Sequence, residues 1–262
     1  MRLTGDRHLG LRDDERAGEP WARHWNPHVA PLSAEAQAAV LTGALPAPAL
    51  PVLADAIHLD RPGYLPFESG CGTGPDGAMV VAIRTPLPAV TPAMIAWWFA
   101  WHSDDARRYK LWHPRAHVHA AWRPGGPAQG YIDRTSIVDE YLGDRLGRFA
   151  IQFVAPPALG LPPDDDRAIT VCARVGLAAA PIDGGWLVHQ VRRTPEGSEM
   201  RSRFWIGGPH VAARGGLTRL VQPLARAFVR PTRADAIALL VHCAEEMAHL
   251  GTFLPALHRE LA

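Results

Sequence analysis

The stretch AIALLVHCAEEMAHLGTFL near the C-terminus constrains the chain more than any other. Its first six residues are apolar around the whole circumference of a helix, so the helix has to be enclosed by the rest of the fold. Thr232 and Asp235 are placed to cap its start, and the helical pattern runs to about Leu250 and on toward Leu261. At about 100° per residue, His242, Glu246 and His249 fall within roughly 60° of one another. An imidazole and a carboxylate held away from water each need a partner, and one divalent cation serves both. The His-x-x-x-Glu spacing lets both side chains reach one ion. The same spacing also occurs as a simple surface pair, so further ligands are required.

Strands are the natural enclosure. Ala78 to Ile83, Val118 to Trp122, Phe149 to Val154, Ala168 to Leu177, Trp186 to Val191 and Met200 to Ile206 read as strands, separated by turn clusters such as RPGG, PPDDD and IDGG. Ser33 opens an Ala-rich helix ending near Gly43, and Thr91 with Pro92 starts a short aromatic helix, AMIAWWFAWH. A run of antiparallel strands followed by one long helix is an α+β pattern. We divide the chain into residues 1–76, an N-terminal arm and helical appendage, and residues 77–262, which carry the run of strands and the long helix.

Charge and cysteine usage narrow the class. The formal net charge of +1 over 262 residues leaves no nucleic-acid footprint, and Lys110 is the single lysine. The start, MRLTGDRHLG, carries charges where a signal peptide needs its apolar run, and no segment approaches the roughly 20 apolar residues of a spanning helix. Cys71, Cys172 and Cys243 are scattered, without CxxC pairing, as expected of buried structural thiols rather than a disulfide framework or a thiolate zinc site. These features predict a cytoplasmic protein with neither nucleic acid nor membrane as partner.

Two further segments offer ligands. In ARRYKLWHPRAHVHAAW, His113 precedes Pro114 in a turn, and a strand beginning near His117 puts His117 and His119 on one side by the two-residue period. His117 is the candidate. In YIDRTSIVDEYLG, Asp139 and Glu140 interrupt an apolar stretch, and spacing does not choose between them. Two imidazoles and two carboxylates make a zinc set once a position is left for water. His189 sits inside the apolar run GWLVHQV, where a core histidine is the ordinary reading, and His102 and His210 have no evident partner.

The blocks IAWWFAWHSDDARRYKLWHPRAH, GYIDRTSIVDEYLG, GGWLVHQVRRTPEGSEMRSRFWIG and HCAEEMAHLGTFLP, spanning Thr91 to Pro255, resemble in order those of the 2,4-diacetylphloroglucinol hydrolase and phloretin hydrolase family. The resemblance implies a helix-grip fold of the Bet v 1 and START type, a sheet wrapped around the long C-terminal helix, in a homodimer. It implies one Zn2+ held by His117, Glu140, His242 and Glu246, with Tyr109 and His189 as catalytic residues. It also implies hydrolysis of the carbon–carbon bond between an acyl group and a polyhydroxylated ring, on a small phenolic ketone. Trp97 and Trp101 are expected in the substrate pocket, buttressed by Trp98.

The chain departs from the family pattern at two pocket positions. Ala120 stands where an asparagine is expected and Phe204 where a tyrosine is expected, so the phenolic substrate is expected to differ. The loop around RPGGPAQG is also trimmed. Two alternatives share the fold: a carrier of a phenolic or polyketide ligand, and a polyketide-modifying metalloenzyme.

Overall fold

The structure, a computed structural model, describes residues 7–214 and 218–262; the first six residues of the charged start lie outside them. In chain order the helices are α1 (Asp13–Arg16), α2 (Ala34–Thr42), α3 (Pro92–Trp101), α4 (Ala106–Trp112), α5 (Thr218–Phe228) and α6 (Arg233–Leu261). The strands are β1 (Ala44–Leu45), β2 (Gly70–Thr73), β3 (Met79–Pro88), β4 (His117–Trp122), β5 (Thr135–Leu142), β6 (Arg145–Val154), β7 (Ala168–Leu177), β8 (Ile182–Thr194), β9 (Gly197–Ile206) and β10 (Ala212–Ala213).

Caps set the helix starts where side-chain chemistry requires them. Ser33 Oγ accepts from the Ala36 amide at 3.1 Å and Thr91 Oγ1 from the Met94 amide at 3.3 Å. Thr232 and Asp235 form the reciprocal capping box at the head of α6. That helix continues through Pro255 to Leu261.

One sheet carries the strands in the order β1-β2-β3-β9-β8-β7-β6-β5-β4, with β10 on β8. All pairs are antiparallel except β1 with β2. Alternation sorts its side chains into two cores. On the inner face Val81, Ile83, Val171, Val191, Met200 and Phe204 pack with Leu240, Met247, Leu250 and Leu254 of α6. α6 contacts β2 and β3 on one side and β5 on the other, with α2, α3 and α4 closing over it. This is the expected α+β helix-grip arrangement. By length and composition α6 could cross a membrane, yet 56% of its most apolar window is buried, as for a core helix.

The outer face has its own core of Val80, Ala82, Cys172, Val188 and Trp205, covered by Leu50, Leu59 and Phe67. Two arginines of β9 are locked under that cover. Arg201 and Arg203, both fully buried, share the carboxylate of Glu68 at 2.5 and 2.6 Å. Arg201 also donates to the Leu59 carbonyl, and Arg203 to that of Phe67.

Removing Glu68 leaves two buried guanidinium groups without their counterion. Glu68→Ala is expected to cost about 3–5 kcal/mol in urea unfolding. A loss below about 1 kcal/mol would show that the cover does not depend on this pair.

Candidate metal centre

A bulge at the start of β4 decides which side chains face inward. His117 pairs with Glu140, but His119, two residues on, pairs with Asp139, so β4 holds one extra residue. Paired residues point to the same face and neighbours to opposite faces. His117 and Glu140 therefore turn inward while His119 and Asp139 turn outward. This corrects the expectation that His117 and His119 share a side, because the two-residue period breaks at a bulge. Asp139 is buried on the outer side in an ion pair with Arg7. Glu140 is thus the acid that faces His117.

His242 and Glu246, one turn apart on α6, meet the pair from below. Glu246 Oε2 lies 3.5 Å from His117 Nε2 and 3.8 Å from His242 Nε2. Glu140 Oε2 lies 3.8 and 3.9 Å from the same two nitrogens. Ligands about 2.0–2.2 Å from a tetrahedral ion stand about 3.4 Å apart, so these spacings match a coordination shell within about half an ångström. His117, Glu140 and His242 offer ligand atoms all within 4.8 Å of one another, and this buried group can bind a metal ion.

The hydrogen bonds around the group prepare it for that. His117 Nδ1–H donates to the Tyr109 carbonyl at 2.9 Å, which leaves the Nε2 lone pair directed into the cluster. That Nε2 is buried with no hydrogen-bond partner. A backbone hydrogen bond to Tyr141 orients His242. Burial holds His117 well below the usual imidazole range and His242 down at about 3, so both stay neutral, as ligands must. Burial pushes Glu140 up to about 7 against a lowering by its bond from Tyr109, and burial with the Glu140 charge raises Glu246 well above the usual carboxylate range. Two carboxyls so placed need protons or a cation.

Tyr109 sits flat on His117, ring centroids 3.7 Å apart, and its hydroxyl donates to Glu140. Burial and Glu140 keep that hydroxyl protonated. Beside the cluster lies a cavity of about 80 Å³, walled by Tyr109, His189 and Phe204 among the anticipated residues. His189 Nδ1 is 2.8 Å from Ser202 Oγ, and burial lowers the imidazole to about 3. Trp97 and Trp101 are not among the walls: they stack on each other at 5.0 Å, with His258 against Trp97. Ala120 is packed in the main core rather than on the cavity.

Other groups emerge only in three dimensions. His102 lines the cavity and is buried, so the expectation that it lacks a partner is corrected. Its Nδ1–H donates to the Trp98 carbonyl at 2.8 Å, and Nε2 accepts from Ser103 Oγ at 3.0 Å. Ser136, two pairs along β5 from Glu140 and on the same face, puts a buried hydroxyl without a hydrogen-bond partner into the same wall. His113 stacks on His242 at 4.9 Å and meets Glu245 at 3.3 Å. His249 packs edge-on to Phe253, outside the ligand group. Lys110 is buried and paired with Glu15 at 3.6 Å.

Comparison with known proteins places this geometry. The family model described as DAPG hydrolase PhiG domain matches residues 50–259. A 2,4-diacetylphloroglucinol hydrolase of Pseudomonas protegens is 31% identical over 259 residues, spanning 92% of this chain and 84% of that protein. One from Pseudomonas sp is also 31% identical, over 92% of this chain and 88% of its own length. Phloretin hydrolase of Eubacterium ramulus is 26% identical over 274 residues, 96% of this chain and 93% of the relative. With a match of that extent laid over the inward-facing histidines and glutamates, the chain belongs to the DAPG hydrolase PhiG-domain family.

Proposed function

We propose that the protein is a zinc-dependent hydrolase that cleaves the carbon–carbon bond between an acyl group and a polyhydroxylated aromatic ring, releasing a carboxylic acid and the deacylated phenol. The observation that carries this reading is the convergence of His117, Glu140, His242 and Glu246 at ligand spacing on the edge of a ring-sized cavity. The names of its relatives, hydrolases of diacetylphloroglucinol and of phloretin, supply the substrate class. Two imidazoles with two carboxylates suit zinc. Bound there, the ion supplies Lewis-acid polarisation of a carbonyl and an acidified water.

The protein's own groups meet the remaining demands. Water adds to the acyl carbonyl, the bond to the ring breaks, and the ring carbon takes a proton. An aryl anion is a poor leaving group, but the keto tautomer of a polyhydroxylated ring departs as an enolate. Tyr109, kept protonated beside Glu140, is placed to donate a hydrogen bond or a proton at the reacting centre. With Nδ1 engaged by Ser202, His189 keeps Nε2 for a ring hydroxyl. Phe99, Phe153 and Phe204 keep water from the enolate. Buried, unpaired cysteines suit the reducing compartment expected of a cytoplasmic enzyme.

His242→Ala and Glu246→Ala are each expected to abolish both zinc content, measured by elemental mass spectrometry, and acid release from acyl phloroglucinols. Full activity in metal-depleted Glu246→Ala protein would refute the assignment. Tyr109→Phe should keep its zinc and lose about 10²–10⁴-fold in kcat, the usual worth of a placed proton donor. Loss of the metal in that variant would make Tyr109 a structural support instead.

Metal binding should also be linked to protons. Glu140 keeps its proton to about pH 7 in the metal-free protein, so its stabilising protonation is complete below its ordinary value of 4.5 and lost as the pH rises through about 7. An ion must displace that proton, and the two neutral histidines release none. Calorimetry at about pH 6 in buffers of different ionisation enthalpy should show release of about one proton or more per zinc. Affinity should climb until the pH passes about 7. No proton release would contradict the buried carboxyl ligands.

A further inference from the structure

The cavity beside the ligands does not end there. Glu140, Ile151, Leu187, Phe204 and Leu239 are also walls of a second cavity, of about 260 Å³, lying between the inner face of the sheet and the start of α6. The two chambers thus share Glu140 at their junction.

Their chemistry differs. The inner chamber carries hydroxyls and imidazoles: Ser103 with His102, His189 with Ser202, and Ser136, which is only 2% exposed and whose hydroxyl has no partner. A buried unpaired hydroxyl is costly, and a ligand oxygen would recover that cost. The outer chamber is lined by Phe149, Val175, Leu177, Ile206, Leu239 and Phe228. Its polar residues include Arg145 and Asp235, which pair with each other at 3.1 Å. Phe228 leaves 69% of its surface exposed. An acetyl group at the junction would leave this apolar chamber to water.

Resting on the hydrolase reading above, we propose that the preferred substrate carries an extended alkyl arm on its acyl side, several carbons long. The hydroxylated ring lies at Ser136, Ser103 and His189, the carbonyl stands beside Glu140, and the arm fills the outer chamber. Acetyl phenols are then poor substrates for this chain.

Alkylphloroglucinols test the arm separately from the chemistry, since they have no carbonyl to cleave. Calorimetry on the metal-loaded protein with propyl, hexyl and nonyl derivatives should show Kd tightening by about fourfold per methylene until the chamber is filled. Val175→Trp should flatten that dependence, with Leu177→Trp as the second variant should the first fail to fold. Acid release should follow the same order, octanoyl phloroglucinol exceeding acetyl phloroglucinol in kcat/KM by at least tenfold. A Kd indifferent to chain length, or a preference for the acetyl ketone, would overturn the proposal. Chain-length dependence that Val175→Trp removes, with no acid released from any ketone, would uphold the arm site and refute the hydrolase reading instead.

Discussion

Two carboxyls and two imidazoles turned into one apolar interior are the interaction on which the remainder of the molecule depends. Ionised and unpaired, Glu140 and Glu246 would each cost several kcal/mol in that setting. Burial raises both toward neutrality and keeps His117 and His242 uncharged. A divalent cation would remove the conflict by giving the group a shared partner. These side chains come from three elements that only the fold brings together: the first residue of β4, the sixth of eight in β5 and the third and fourth turns of α6. The bulge after His117 is the device that makes this possible, since a regular β4 would turn His117 and His119 to the same side.

The sheet can devote its inner face to this task because its outer face is stabilised independently. Alternating residues of β9 show the division: Met200, Ser202 and Phe204 serve the interior, while Arg201, Arg203 and Trp205 hold the segment around Leu59 to Glu68. The outer ion cluster on β9 and the inner group on β4 and β5 therefore lie on opposite faces of the same sheet. Substrate-facing groups then follow from position along each strand. Ser136, Val138 and Glu140 are successive inward residues of β5, grading the cavity from a free hydroxyl to the ligand.

Much of this was legible in the sequence, and for physical reasons. Caps act through local bonds, so Ser33, Thr91, Thr232 and Asp235 marked helix starts correctly. Strands with an uninterrupted apolar period, such as β7 and β8, were readable in the same way. β5 was not identified as a strand: Asp139 and Glu140 break its period, and their opposite destinations, an ion pair with Arg7 and the ligand cluster, are settled by tertiary structure. The bulge left no pattern. His102 looked partnerless because its partners, Trp98 O and Ser103, are local groups that matter only once the site is buried. Trp97 and Trp101 lie on the same helix as the cavity residue Phe99, and a short helix apolar on every face carries no phase to separate them.

The central claim is that the four inward ligands hold a zinc ion that the hydrolysis requires. The most direct test is elemental analysis of the purified protein together with an assay of acid release from acyl phloroglucinols before and after chelation. About one zinc per chain, with release that stops on chelation and returns on adding zinc, is the result the account predicts. Undiminished acid release from protein stripped of all metal would contradict it.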